Sequence, residues 1–211
     1  MTERKPLRVE TGAGDSAGWE FAHSVLFTGH MIDAADREEP RFAPRAEGAA
    51  RTAIRASVQQ LRDWGGTPMV GVAGGASGGD LLFHEVCAEL GVATRLRLAL
   101  PVEEFIATSV APAGEGWVQR FRMLVKQLGP ENVRVMGEND GRKYEATEDV
   151  WSRANLWMVE YAVALAPQRT LLALWDGQGG DGPGGTEHLV SVAPNYGIRV
   201  APPITIQSLF Q

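Results

Sequence analysis

The stretch MVGVAGGASGGDLLFHEVCAELG, residues 69–91, decides how the chain is read. A short apolar run enters GGASGGD (74–80), which holds four glycines within six positions, and a segment of helical periodicity follows. Glycine loses more backbone freedom on folding than any other residue, so the cluster needs a physical reason. The usual ones are a turn at positive φ or a backbone that must approach another group closely. An apolar run, a glycine turn and a helix in this order read as a strand feeding a helix whose first amides are still unpaired.

The same alternation extends in both directions. Upstream, SVLFTG (24–29) reads as a buried strand ending at Gly29. The loop HMIDAADREEPRFAPRAEG (30–48) is long for a compact domain, which marks it as ligand-facing. A helix is expected at about 47–64, with Ala50, Ile54, Val58 and Leu61 on one face and Gly65 and Gly66 as its stop. Downstream, RLRLALP (95–101) reads as a third strand, GWVQRFRMLVKQLG (116–129) as a helix and NVRVM (132–136) as a fourth strand. VWSRANLWMVEYAVAL (150–165) is a helix, TLLALW (170–175) a fifth strand, GTEHLVSVAPNYG (185–197) a helix broken late by Pro194, and IRVAPP (198–203) a last strand. Strict alternation predicts βαβ units: an α/β, Rossmann-like, doubly wound, mainly parallel sheet with helices on both faces. Residues 1–20 are polar, glycine-rich and without periodicity, and read as a flexible N-terminal arm or a linker from a larger protein. Residues 21–211 read as one domain.

Composition narrows the functional classes. The 211 residues are 44% hydrophobic, enough for a sizeable core. A formal net charge of −6 and a pI near 5.3 offer no global basic field, so nucleic acid is not expected as a partner. Cys87 is the only cysteine, which excludes an intrachain disulfide and any multi-cysteine zinc site. The four histidines form no HExxH pattern, so no metal is expected, and no cofactor either. Without a signal-peptide core or a membrane-length apolar run, a cytoplasmic protein is expected, with no membrane partner.

In a doubly wound sheet, ligands bind beyond the carboxyl ends of the strands. Three loops fall there: TGH (Thr28, Gly29, His30), GGASGGD (Gly74, Gly75, Ala76, Ser77, Gly78, Gly79, Asp80) and WDGQGGDGPGGT (175–186), with Gly182, Gly184, Gly185 and Thr186. In the latter two, glycines let the backbone curl into a nest of N–H donors at a helix start, for which phosphate is the natural guest. The plainer alternative is that the glycines serve tight packing alone. Neither loop is a P-loop, since the Lys-Ser/Thr pair is missing, and neither fits GxGxxG. Asp80 is a helix-start residue or a ligand contact. Asp176, directly after the fifth strand, suits ribose hydroxyls, and Thr186 caps a helix where its hydroxyl would also meet phosphate. His30 suits a ligand hydrogen bond or acid–base work, and Ser77 becomes a nucleophile only beside a base. Glu104, Phe105, Ser109 and Trp117 are candidates for a base pocket, although Phe105, Trp117 and Phe121 fit the core better. Arg41 and Arg45 could reach a phosphate, and His84 reads as a packing residue.

LFTGHMIDAADREEPRF, GGASGGDLLFHEVCAELG, LPVEEFIATSV, GWVQRF and LWDGQGGDGPGGT, in this order, resemble the SLOG superfamily. That Rossmann-like group includes the Lonely Guy phosphoribohydrolases, DprA proteins, and nucleotide-sensing domains of bacterial signalling and defence proteins. The resemblance runs from about residue 24 to the C-terminus. It implies a cleft for a nucleotide or nucleotide-derived molecule between the two glycine loops, and a fused or associated effector domain; a homo-oligomer stays open. The enzyme branch carries PGGxGTxxE. Here Pro183, Gly184, Gly185 and Thr186 match in kind, but Leu189 stands where that branch has a catalytic glutamate, and Glu187 is expected to point elsewhere on the helix. The resemblance therefore favours a sensor. The alternative is a nucleotide-cleaving enzyme, of Lonely Guy type or acting on a phosphoester, with Glu187, His30 or Asp80 as acid–base candidates.

Overall fold

A computed structural model describes residues 19–34, 37–137, 149–179 and 184–206. Six strands form one all-parallel sheet: β1 (His23–Gly29), β2 (Met69–Ala73), β3 (Ala93–Leu98), β4 (Val133–Val135), β5 (Gln168–Leu174) and β6 (Arg199–Val200). The order across the sheet is β4-β3-β2-β1-β5-β6. The chain moves outward from β1 to β4, then returns to place β5 on the other side of β1. The order reverses between β1 and β5, which defines the switch point of a Rossmann-like fold.

Helices α1 (Glu47–Gly65), α2 (Gly79–Glu89), α3 (Val102–Ser109), α4 (Glu115–Leu128), α5 (Val150–Leu165) and α6 (Thr186–Val192) connect the strands. Along β1, Val25 and Phe27 enter the larger core with residues of α1 to α4, while Leu26 packs with α5 and α6 on the opposite face. This two-sided burial is why β1, β2 and β5 are apolar almost throughout. Ala50, Ile54, Val58 and Leu61 are the buried stripe of α1, as their spacing predicts. Phe105, Trp117 and Phe121 are core residues.

One element was not read from the sequence and one is corrected. The segment after β3 forms α3, begun by Pro101, whose fixed φ suits a helix start. The last strand shrinks to Arg199–Val200, with Ile204 adding a single bridge to Leu174. Two prolines, Pro202 and Pro203, cannot donate to a ladder, which accounts for the short edge. Among the described residues no helix is long and apolar enough to cross a membrane. Of the arm expected at residues 1–20, residues 1–18 lie outside the described residues.

Candidate functional site

A cleft of about 690 Å³ opens at the carboxyl edge of the sheet. Its floor is the switch point between β1 and β5. Register explains the position: the β1–β5 ladder ends at Gly29 against Leu174, and the chains diverge beyond it. Thr28, Gly29 and His30 line the cleft from β1, with Asp33, Arg37 and Arg41 from the long loop that follows. The loop is anchored by Ile32 and Phe42, both buried. The Asp33 carboxylate ties it internally, accepting the main-chain N–H groups of Arg41 (3.0 Å) and Phe42 (2.9 Å).

The second glycine loop is stitched to this one. Ile32 N–H donates to the Ser77 carbonyl (3.0 Å), Gly79 N–H to the His30 carbonyl (3.0 Å), and Ser77 N–H to the Ser109 carbonyl at the end of α3 (2.9 Å). Gly78 sits at φ +100, and a Cβ there would stand 2.4 Å from Ile32 N. Close approach of two main chains, in a conformation L side chains rarely adopt, explains that glycine. Gly75, Ser77, Gly78 and Gly79 are therefore buried in the junction and do not line the cleft; Gly74, Ala76 and Asp80 do. The nest of free amides expected there is used in part by the protein itself. Three of its N–H groups, those of Ala76, Ser77 and Gly79, already have protein acceptors.

Asp80 stands deep in the cleft, with part of its surface open to it. One oxygen accepts the Ala76 N–H at 3.3 Å. Burial raises its carboxyl pKa to about 7, only partly countered by that hydrogen bond, so the group carries its proton close to neutrality. His84, one turn along α2, is fully engaged: Nδ1 lies 2.9 Å from Thr94 Oγ1 and Nε2 3.0 Å from the Gly74 carbonyl. Burial lowers its pKa to about 4, and the neutral ring pins the first glycine of the loop.

On the β5 side, His30 Nε2 is 3.1 Å from Asp176 Oδ1 and 3.2 Å from Asp176 N. One nitrogen serves these alternately: protonated it donates to the carboxylate, and bare it accepts the main-chain N–H. Burial lowers the His30 pKa, while Asp176 pushes it up less. Asp176 also accepts from Arg41 Nε (3.4 Å) and Nη2 (3.3 Å), and from Gln178 N–H (2.9 Å). Although burial works the other way, the Gln178 N–H and Arg41 hold its carboxyl below the ordinary value. Asp176 thus joins the loop after β1 to the loop after β5.

Gly184, Gly185, Thr186 and Glu187 line the cleft from the start of α6; Gly182 lies outside the described residues. Thr28 Oγ1 donates to Thr186 Oγ1 at 3.3 Å. Glu187 borders the cleft from the first turn of α6. Leu189 is fully buried in the α5–α6 core. Ser109 and Phe105 also line the cleft, but Glu104 is on the exposed side of α3 and Trp117 packs under Arg120. Arg45 is exposed and away from the cleft.

The sequence reading missed the wall supplied by α5: Trp151, Ala154, Asn155 and Met158, with Trp175 nearby. Asn155 is buried, and its Nδ2 donates to the Gly184 carbonyl at 2.7 Å, fixing the start of α6. An asparagine among apolar residues of a helical stretch was the available signal. No protein-family model matches the chain, and no curated protein sequence is significantly similar to it.

Proposed function

We propose that the cleft binds a nucleotide or nucleotide-derived signalling molecule, and that the chain acts as the sensor for an effector domain fused to it or associated with it. The observation that carries this reading is the cleft itself, about 690 Å³ at the β1–β5 switch point. Open parallel sheets take small ligands at that point, and the volume is in the range of small-molecule sites. Its walls divide the chemistry in a way that suits such a ligand. Phe105, Trp151, Met158 and Trp175 offer flat or apolar surface to a base, Thr28, Thr186 and Asp80 offer hydrogen bonds to hydroxyls, and Arg41 offers a guanidinium to an anion.

Leu189 supports sensing over turnover, since no carboxylate reaches the cleft from the position where the resembled enzymes carry one. One observation favours the second reading, a nucleotide-cleaving enzyme: Asp80 keeps a proton near neutrality inside the cleft, as a general acid must. The test is to incubate the protein with a panel of mono-, di- and cyclic nucleotides and ADP-ribose, following thermal shift and products together. Binding without turnover is the expected result. Release of free base, ribose phosphate or inorganic phosphate moves the conclusion to the enzyme, and no shift with any probe removes the nucleotide reading.

A further inference from the structure

The wall that α5 gives the cleft carries a single amide. Trp151, Ala154, Asn155 and Met158 all line the cleft, and their spacings of three and four put them on one face of the helix. Trp151 meets Phe105, another lining residue, edge to face, with ring centroids 6.1 Å apart and the planes at 60°. Two rings at such an angle make a corner against which a planar base can lie. Asn155 brings its amide onto this otherwise apolar and aromatic face.

The amide is set in one orientation. Nδ2 lies 2.7 Å from the Gly184 carbonyl and 3.2 Å from His188 Nδ1. A carbonyl can only accept, so the NH2 side of the amide must face it, and the second proton goes to His188, whose Nδ1 then accepts. Gly184 is fixed in its turn. At φ +74 its backbone packs on the first turn of α5 so closely that a Cβ would stand 2.3 Å from Trp151 Cβ. Both amide protons are thus committed inside the protein.

That leaves Oδ1. None of the described residues donates to it. Nor is it among the side-chain atoms sealed from solvent without a partner, so it keeps accessible surface, in a residue that is only 7% exposed and borders the cleft. A preset acceptor of this kind discriminates between ligands: an N–H group satisfies it, whereas a ligand that only excludes water leaves it unpaired.

Resting on the nucleotide reading above, we propose that Asn155 Oδ1 accepts a hydrogen bond from the exocyclic amine of a base laid against Trp151 and Phe105, so that the cleft selects amine-bearing bases. His188 is a positioning residue, which holds the amide through Nδ1.

The test is calorimetric titration at pH 7 of the wild type and Asn155→Ala. The probes are AMP, GMP and CMP, each beside the counterpart in which hydrogen replaces the amine: purine riboside monophosphate, IMP and pyrimidin-2-one riboside monophosphate. In at least one pair the wild type should bind the amine-bearing member about tenfold or more tightly, as for a buried acceptor otherwise left unpaired. Asn155→Ala should bring the two members of that pair within about twofold of each other. Loss of the Gly184 contact alone would weaken both members equally and leave their ratio as in the wild type, so an undiminished ratio in the variant overturns the assignment. If Asn155→Ala does not fold, Asn155→Leu, which fills the same space without an acceptor, takes its place. Wild type that binds nucleotides but separates no pair also overturns the assignment, while leaving the nucleotide reading intact. Binding of none of the probes strikes at the nucleotide reading itself, and the assignment falls with it.

Discussion

The loop that follows β1 meets a neighbouring loop on each side, and the two junctions are built from different materials. Toward β2 the junction is main chain: Ile32 and Gly79 amides donate to the carbonyls of Ser77 and His30. Toward β5, beyond the end of the ladder, it is side chain: His30, Arg41 and Asp176 converge at 3.1 to 3.4 Å. Main-chain contacts need bare backbone, hence glycine, and they hold one geometry at all pH values. Titratable side chains tolerate a gap between the loops and respond to charge. The cleft at the β1–β5 switch point is therefore bounded by a rigid flank on one side and a chemically responsive one on the other.

The comparison breaks most visibly at Gly78. Gly78→Ala places a Cβ 2.4 Å from Ile32 N at φ +100, so both strain and collision act, against backbone that cannot step aside. We expect a loss of about 4 kcal/mol in urea unfolding, at the upper end for a single methyl group. A loss below about 1 kcal/mol would mean that the two loops separate easily and that the junction is not rigid.

The rigid flank carries two buried titratable groups on α2, and they pull in opposite directions. The raised carboxyl of Asp80, about 7 when folded against 3.8 ordinarily, contributes stability fully present below pH 3.8 and lost as pH rises through 7. The lowered imidazole of His84, about 4 against 6.5, contributes stability present above pH 6.5 and lost as pH falls through 4. By linkage they are worth about 4 and about 3 kcal/mol respectively, and between pH 4 and 6.5 they offset one another. Asp80→Asn should therefore steepen the gain in stability with rising pH across that window, and leave the protein more stable than wild type at pH 8. His84→Gln should produce the opposite slope, stability falling from pH 4 to 7. Denaturation midpoints at half-unit pH steps would show it, and parallel profiles for the two variants would refute the assignment.

This asymmetry also explains which parts were legible in the sequence. Strand and helix order was readable because burial on both faces writes itself as apolar runs at 24–29 and 170–175 and as the α1 stripe of Ala50, Ile54, Val58 and Leu61. The location of the cleft followed from strand order, which fixes where loops gather. What the glycines do was not legible. GGASGGD looks the same whether its amides face a phosphate or another segment of backbone, and only the proximity of residues 30–32 distinguishes the two. The α5 wall was missed for a related reason: Trp151 and Met158 satisfy an amphipathic pattern equally well facing a core or a cavity. Helix α3 went unread because its eight residues, VEEFIATS, are too short to show two full repeats.

The responsive flank yields the smallest stability change and the most specific one. Asp176 raises the His30 pKa, while burial, the larger influence, and Arg41 lower it. Asp176→Asn removes the larger raising influence and leaves only the weaker one of Asp33 against burial and Arg41, so the His30 pKa should fall further below 6.5. A histidine lowered in the folded state loses stability as pH falls from 6.5 through its folded value, so the variant should be more acid-sensitive than wild type in that interval. At neutral pH the cost should stay below about 1 kcal/mol, as for other partly exposed ion pairs. The readout is the His30 Cε1–H titration by NMR. A midpoint that rises or stays put in Asp176→Asn would mean that the carboxylate is not in contact with the ring in solution, and that the two flanks of the β1 loop are not as different as their chemistry implies.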